Sequence, residues 1–440
     1  MEDKNIKILK GIIRSGLCNR CGSCVGLSDG KIVFENKEGR YLPKVLETPD
    51  PDTCSTILSA CSGKGFDFPE NRIHLYGDAT TQHIYTGAYK SISIGHCTDP
   101  AIRLNAASGG IITAMLIYLL RTKQIDGAVV TGMSKGKPWL TKPFIATTEQ
   151  EILEAAQSKY IITSVNEILP QIDAFKGNLA YVGLPGQVQS IRSLQRMNHP
   201  WVKNIKYIFG PFYGNTLHFS SVKSFLRTHG EKDYTKINKL YFRHGEWPGN
   251  MRAELSDGKV FQLKKFHANY LIPFHIVKNG LICTDLTNEF TDVSGGDAWA
   301  PVYEERGKGF SMVIARSERG QSLLDQMQAD GFLELKPISL EESITMHSHG
   351  YDLKKRGAFI RLRFMRFLGM QVPDYGYQIK GFAFSRYMME IAIDTLFLLL
   401  GTSVARWVIE QFSPRFIGGL FERTRNTWKK STKHIKRQNL

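Results

Sequence analysis

Cysteine is scarce in this 440-residue chain: seven residues, an odd number and too few for a disulfide scaffold of that length. Long apolar runs are missing as well. The strongest one near the end, 395–405, has 11 uncharged residues between Asp394 and Arg406, where a spanning helix needs roughly 20, so no clean transmembrane segment is expected. The opening MEDKNIKILKGIIRSG has no hydrophobic signal core, and we expect no export. No internal repeat or low-complexity tract is visible. Acidic residues are outnumbered, 41 against 57 basic, for a net charge of +16. With 22% charged and 42% hydrophobic residues the composition is globular and excludes wholesale disorder.

The charge that is present is unevenly placed. Residues 354–440 hold 17 basic and 5 acidic residues, net +12, whereas 1–353 hold 40 and 36, net +4. A nearly neutral body with a basic final fifth points to an anionic partner for the tail. The cysteines are also clustered: Cys18, Cys21, Cys24, Cys54 and Cys61 all lie in the first 61 residues, as in a metal site of a reducing compartment.

In GLCNRCGSCVG the spacing Cys18-x2-Cys21-x2-Cys24 is that of a loop that wraps one four-iron cube. Val25, Gly26, Leu27 and Ser28 follow where a nearby fourth ligand would stand, so a distant thiolate must complete the set; Cys61 is our choice and Cys54 the alternative. Zinc also takes four thiolates and is the main rival, although its sites more often pair two C-x2-C arms.

The patterning predicts a mixed α+β and α/β chain. We divide it into a small ferredoxin-like iron–sulfur module at 1–76, an α/β core at 77–239, a β-rich region at 240–353 and a basic helical tail at 354–440. Strands are expected at 91–97, 125–133, 178–186 and 205–210, and helices after Ser108-Gly109-Gly110, over 149–161 and from Gln187. Two turns suit ligands. Ser108-Gly109-Gly110 at a helix start would offer free backbone N–H groups to a phosphate or an electron-rich ring, the bland alternative being a tight turn with a Ser cap. Gly183-Leu184-Pro185-Gly186-Gln187 closes a strand ahead of a helix, a common ligand position in α/β sheets, the alternative being an ordinary turn.

These residues, with NAASGGIITAMLIYLL, IDGAVV, Ser158-Lys159-Tyr160 and CTDLTNEFTDVSGGDAW, make the chain resemble the coenzyme F420 hydrogenase/dehydrogenase beta-subunit family over about 8–335, including bacterial members associated with polysaccharide clusters. The resemblance implies an iron–sulfur flavoprotein that passes electrons between a cluster, a flavin and a small-molecule acceptor. It implies FAD rather than FMN, held by Ser108, Gly109, Gly110, Thr113, Ser158, Lys159, Tyr160, Gly183, Pro185, Gly186, Gln187 and Asp297. Lys159 and Asp285 are the catalytic candidates, with Asp292 and His275 as further acid–base candidates. Asp297 would bond a ribityl or ribose hydroxyl, or else form an Asx turn. Lys159 is otherwise a solvated helix-end lysine.

The chain departs from the family's pattern at three cysteine positions, now Gly186, Gly210 and Gly280, leaving Cys283 alone of the four. One thiolate cannot hold a second cube, so we expect one cluster. Cys283 and Cys97 are expected to be core residues. Because the departures fall in segments matching F420-type members, F420 ranks below a flavin acting on an organic substrate, possibly in surface polysaccharide synthesis. A non-catalytic electron-transfer subunit is the third reading.

In the tail, Arg356, Arg361, Arg363 and Arg366 interleave with Phe and Leu, and Glu390 and Asp394 fall on one side of an otherwise apolar helix. This suits a helix lying in a membrane interface. The sequence therefore predicts a cytoplasmic protein, peripheral on the inner face of the membrane through 354–440. Its expected partners are an external one-electron donor such as a ferredoxin and a small-molecule or sugar substrate, with no nucleic acid.

Overall fold

The computed structural model describes residues 3–304 and 307–436; residues 437–440, the end of the expected basic tail, lie outside the described residues. Eight strands form one mixed sheet. In chain order they are β1 (Ser91–Cys97), β2 (Gly127–Met133), β3 (Thr141–Ala146), β4 (Leu179–Val182), β5 (Ile205–Pro211), β6 (Val293–Asp297), β7 (Ser311–Ala315) and β8 (Leu333–Pro337). Their spatial order is β8-β1-β7-β6-β5-β4-β2-β3. The centre, β6-β5-β4-β2, is parallel, and both flanks are antiparallel.

Side-chain alternation along these strands makes two cores. Val129, Tyr181 and Ile208 face one side and pack with the helix Pro185–Arg196 through Val188, Ile191 and Leu194. Ala128, Val130, Ala180 and Phe209 face the other and pack with the helices Ile111–Arg121 and Glu318–Ala329. A second, three-stranded antiparallel sheet (Ile237–His244, Asn250–Leu255, Val260–Lys264) covers the helix Ser220–Arg227.

The first 76 residues do not close on a core of their own. Ile6, Leu9 and Ile12 of the helix Lys4–Arg14, with Ile57 and Leu58 of Pro51–Ser59, join the same cluster as Val129, Leu179 and Ile208 of the large sheet. The cysteine loop is therefore held rigidly on the main body.

The expected helix over 149–161 ends at Glu154. A capping box between Thr148 and Glu151 starts it, but Gln157 takes a positive φ of 70° and the chain leaves the helix. Lys159 then supplies a donor to the carbonyls that the helix would have used, those of Ala155 and Ala156 at 2.5 and 2.6 Å.

The helical region after 340 runs through Leu340–Tyr351, a π-helical turn over Asp352–Gly357 and Ala358–Phe367. Several of the basic residues counted in the tail point inward. Lys354 donates to the Gly280 carbonyl at 2.7 Å, Lys355 pairs with Glu289, and Arg361 donates to the Leu281 carbonyl at 2.8 Å. Only the chain beyond about 363 turns basic side chains outward. No single described helix is long and apolar enough to cross a membrane; Phe384–Leu400 and Ser403–Ile409 pass together by length and composition but are bent by 76°.

Candidate functional site

The local chain around the first three cysteines is tightly specified. Gly22, at φ 97°, opens the short helix Ser23–Gly26, and a Cβ there would meet the Glu167 backbone nitrogen at 2.6 Å. Cys18, Cys21, Cys24 and Cys61 come together in this fold. Burial raises the Cys18 thiol to about 11, and the neighbouring Cys21 charge adds to it. Burial pushes Cys61 to about 12, with Cys21 and Cys18 adding. Cys24 is held well above its ordinary value by burial and by the charges of Cys18, Cys21 and Cys61. Such mutual repulsion between thiolates is what a bound cation relieves. Cys54 stands apart, buried, with its thiol on the Pro49 carbonyl at 3.2 Å. Cys61 is coupled electrostatically to Cys18, Cys21 and Cys24, whereas Cys54 feels the charges of Asp3 and Asp50 instead.

Among the described residues no three His, Cys, Asp or Glu side chains converge on a single-ion site. A lone zinc draws its thiolates to about 2.3 Å from one centre, whereas a cube gives each thiolate its own iron.

Hydrogen bonds tie this cluster of thiols to the turn after β4. Asn19 donates to Ser62 at 2.5 Å, and Ser62 donates to the Gly186 carbonyl at 2.6 Å. A second chain runs from Cys21 to Ser23 at 3.5 Å; Asn166 Nδ2 donates to Ser23 at 2.8 Å and to the Gln187 carbonyl at 3.1 Å. The Tyr181 hydroxyl closes on Asn166 from below.

On the far side of that turn lies a cavity of about 1300 Å³. Its walls include Ser108, Gly110, Ile111, Ile112 and Thr113 from the start of the helix Ile111–Arg121. That helix begins at Gly110, φ 80°, without a side-chain cap, so its first N–H groups are open to an anion. Ser158, Lys159, Tyr160, Gly183, Leu184, Gln187 and Asp297 also line it. Lys159 is pulled down to about 7 by burial. Burial pushes the Tyr160 phenol up, but Lys265 and Arg243 outweigh it and hold it below its ordinary value. Lys265 lies 4.7 Å above the Tyr160 ring, and Arg243 donates to its hydroxyl at 3.1 Å.

Most of the expected ring-binding residues meet here, with exceptions. Gly109 is packed behind the wall: its N–H goes to Ser311 Oγ at 2.9 Å, and a Cβ would meet the Gly95 carbonyl at 2.4 Å. Pro185 is buried at the helix start and does not line the cavity, and Gly186 faces the cysteine side, where its carbonyl accepts from Ser62. Gln187 closes the turn, accepting from Leu184 N at 2.8 Å and donating to the Thr163 carbonyl at 2.7 Å. Asp297 lines the cavity with both oxygens engaged by Arg243, at 2.9 and 3.3 Å, and one also by Trp247 at 2.9 Å, so it orients Arg243.

Asp285 does not line the cavity. It is fully buried, and its carboxylate accepts the Glu289 N–H at 3.1 Å. Asp292 is likewise structural, accepting from Ile208 N at 2.8 Å and Ser317 Oγ at 2.6 Å. His275 is buried against Ser220 Oγ at 2.9 Å. The segment that carries Asp285 and Asp292 is buried from Cys283 to Gly295 and held by Arg316, which donates to the carbonyls of Thr86, Ala88 and Thr287. Read as a sequence, its acidic residues look like chemistry; in the fold they are internal struts.

Sequence reasoning passed over His347. It lines the cavity, lies at a non-helical break (φ −107°, ψ 15°) in Leu340–Tyr351, and its buried Nε2 has no partner. Burial lowers it to about 4. No local spacing marks it, because its neighbours in the cavity come from β6 and from the segment after β5. Arg425 and Lys429, from the helix Pro414–Lys436, also reach the cavity wall.

The space where a second cluster would need ligands is filled. Cys283 and Gly186 border a cavity of about 40 Å³, close to the volume of a single water. A Cβ on Gly186 would meet Asn19 Nδ2 at 2.3 Å, and one on Gly210 would meet Asn288 Nδ2 at 1.9 Å. A second cube does not fit these residues. Cys283 and Cys97 are buried core residues.

A large mixed sheet carries a partly cationic cavity, and beyond the turn after β4 it carries a group of electrostatically coupled thiols. Comparison with known proteins gives the family. Residues 92–170 match the family described as coenzyme F420 hydrogenase/dehydrogenase, beta subunit N-term, and 176–341 match its C terminus. The chain belongs to this family.

It is 29% identical over 266 residues to the coenzyme F420 hydrogenase subunit beta of Methanosarcina barkeri, covering 58% of this chain and 84% of that one. It is 25% identical over 364 residues to the coenzyme F420-dependent sulfite reductase of Methanocaldococcus jannaschii, covering 79% of this chain but only 52% of the reductase. The chain thus spans about half the length of that relative. In fold it is similar to a chain of the F420-reducing [NiFe] hydrogenase complex from Methanosarcina barkeri, with a TM-score of 0.52, 23% identity, and coverage of 64% of this chain and 96% of that one.

Proposed function

We propose that this chain is an electron-transfer subunit of an F420-linked oxidoreductase, with one four-iron cluster on Cys18, Cys21, Cys24 and Cys61. The observation that carries the reading is the hydrogen-bonded path from Cys21 through Ser23 and Asn166 to Gln187 on the cavity wall. The relatives named above, both F420 proteins, reverse the order expected from the sequence. The departures at Gly186, Gly210 and Gly280 bear on a second cluster and leave the ring cavity intact. The sugar substrate expected earlier has no counterpart in the names of these relatives.

A cube moves one electron at a time, and a bound deazaflavin or flavin converts this to two-electron chemistry. In this cavity the free N–H groups of Ile111, Ile112 and Thr113 receive a negatively charged ring edge or phosphate. Lys159 lines the same wall, with its Nζ held on the carbonyls of Ala155, Ala156 and Gln157. Arg243, fixed by Asp297, keeps the Tyr160 side of the cavity positive. A second ring is the secondary reading, FAD rather than FMN: about 1300 Å³ exceeds the usual 300–1000 Å³ of a single-ligand site. The electron partner is a one-electron carrier such as a ferredoxin or a neighbouring subunit. We place the protein in the cytoplasm, peripheral on the inner membrane face.

The test is anaerobic purification followed by titration with F420. We expect about four irons per chain, absorption near the visible edge that bleaches on reduction, and bleaching by reduced F420. Colourless zinc protein, or an iron-loaded chain inert to F420, would overturn the reading.

A further inference from the structure

The helix Phe384–Leu400 is inside out. Its inward face is ionic: Arg386 and Glu390 are each 1% exposed. Arg386 donates to both oxygens of Asp352, at 3.1 and 3.0 Å, and Arg361 pairs with Glu390. Its outward face carries Met388, Ile391, Leu398 and Leu399, with Leu398 at 68% and Leu399 at 62% exposed. A helix bathed in water has the opposite arrangement. After the 76° bend the pattern continues with Val404, Trp407 and Val408, and then with Phe412, Phe416 and Leu420. An apolar patch of this extent marks an interaction surface. Along the same stretch of chain, 363–430, the exposed charged residues are Arg363, Arg366, Lys380, Arg415, Arg423 and Lys430 against one exposed acid, Asp374.

We propose that the bent pair Phe384–Leu400 and Ser403–Ile409 inserts its outer face into a single leaflet of an anionic bilayer, with the flanking Arg and Lys on the head groups. This rests on the peripheral placement above and specifies how it is achieved. A protein partner would match the apolar patch, but the surplus of cations around it matches a surface of uniform negative charge. The buried Arg386–Asp352 and Arg361–Glu390 pairs anchor the inserted helix to the body, so insertion needs no unfolding. The consequence reaches the site. Pro414–Lys436 carries Phe416 and Leu420 at the apolar surface and Arg425 and Lys429 on the cavity wall. Nine helical residues from Phe416 to Arg425 span roughly 14 Å, so insertion brings the cavity to the bilayer surface.

Flotation of the full chain with phosphatidylcholine vesicles, with and without phosphatidylglycerol, tests this. We expect the chain to float with the anionic vesicles and to stay largely bound in high salt. The pair Leu399→Glu and Trp407→Glu should reduce flotation at least tenfold without changing iron content. The pair Arg415→Glu and Arg423→Glu should weaken binding to anionic vesicles only. Binding that is fully released by salt and indifferent to the first pair overturns insertion but leaves peripheral placement standing. No flotation at all removes both. A dimer in solution that the first pair dissociates, with no vesicle binding, assigns the face to a second copy of the chain instead. If the first pair misfolds, salt-resistant flotation of the unaltered chain decides.

Discussion

Ser62 donates its hydroxyl to the Gly186 carbonyl at 2.6 Å, joining the residue after Cys61 to the turn that bounds the large cavity. The cysteine loop and the turn after β4 are thereby joined directly, and the helices of the first 76 residues share a hydrophobic cluster with the large sheet. Gly186 is small because Asn19 occupies the space a Cβ would need.

Substitution should separate the two candidate fourth ligands. Cys61→Ser is expected to lose most of the iron and the visible absorption after anaerobic purification. Cys54→Ser, in a pocket closed by the Pro49 carbonyl, should keep both. Equal loss in the two variants would return the fourth position to Cys54 or to neither.

Lys159 should leave a signature in the pH dependence of stability. Its folded value, about 7, lies below its ordinary 10.5. Between these values the unfolded chain binds more protons, so this group makes stability rise with pH from about 7 toward 10.5. Chemical denaturation across that range should show the rise in the natural chain and a flatter profile in Lys159→Met. An unchanged slope would mean that the lysine is solvated.

His347→Phe tests the orphaned ring nitrogen. Phe keeps the packing against Phe212 and removes a buried polar atom that has no partner. Thermal stability should hold or rise. If a bound ring or its chain takes the Nε2 hydrogen bond, worth about 1 kcal/mol, F420 affinity measured by absorbance titration should fall roughly fivefold. Unchanged affinity would make His347 a wall residue only.

Arg316→Met should be severe. Its guanidinium satisfies the carbonyls of Thr86, Ala88 and Thr287 at 2.7 to 2.9 Å inside the core. Leaving them unpaired is expected to cost about 3–5 kcal/mol in urea unfolding. A loss below 1 kcal/mol would show that water replaces the arginine.

Much of this protein was legible before any fold was known, wherever the signal is local. The triple cysteine spacing, the strand over 91–97, most of the one expected over 125–133, the Gly110 helix start and the apolar stripe with Glu390 and Asp394 on its other side all follow from short-range periodicity and backbone chemistry. Only the tertiary structure decided what depends on burial and on distant contacts. It coupled Cys61 rather than Cys54 to the charges of the cysteine loop, turned Asp285 and Asp292 into internal struts, engaged both oxygens of Asp297, and brought His347 to the cavity. The physical reason is that a carboxylate or imidazole has the same sequence appearance in a site and in a core. What distinguishes them is the set of partners that the sheet order β8-β1-β7-β6-β5-β4-β2-β3 places around them, and that order is a long-range property of the chain.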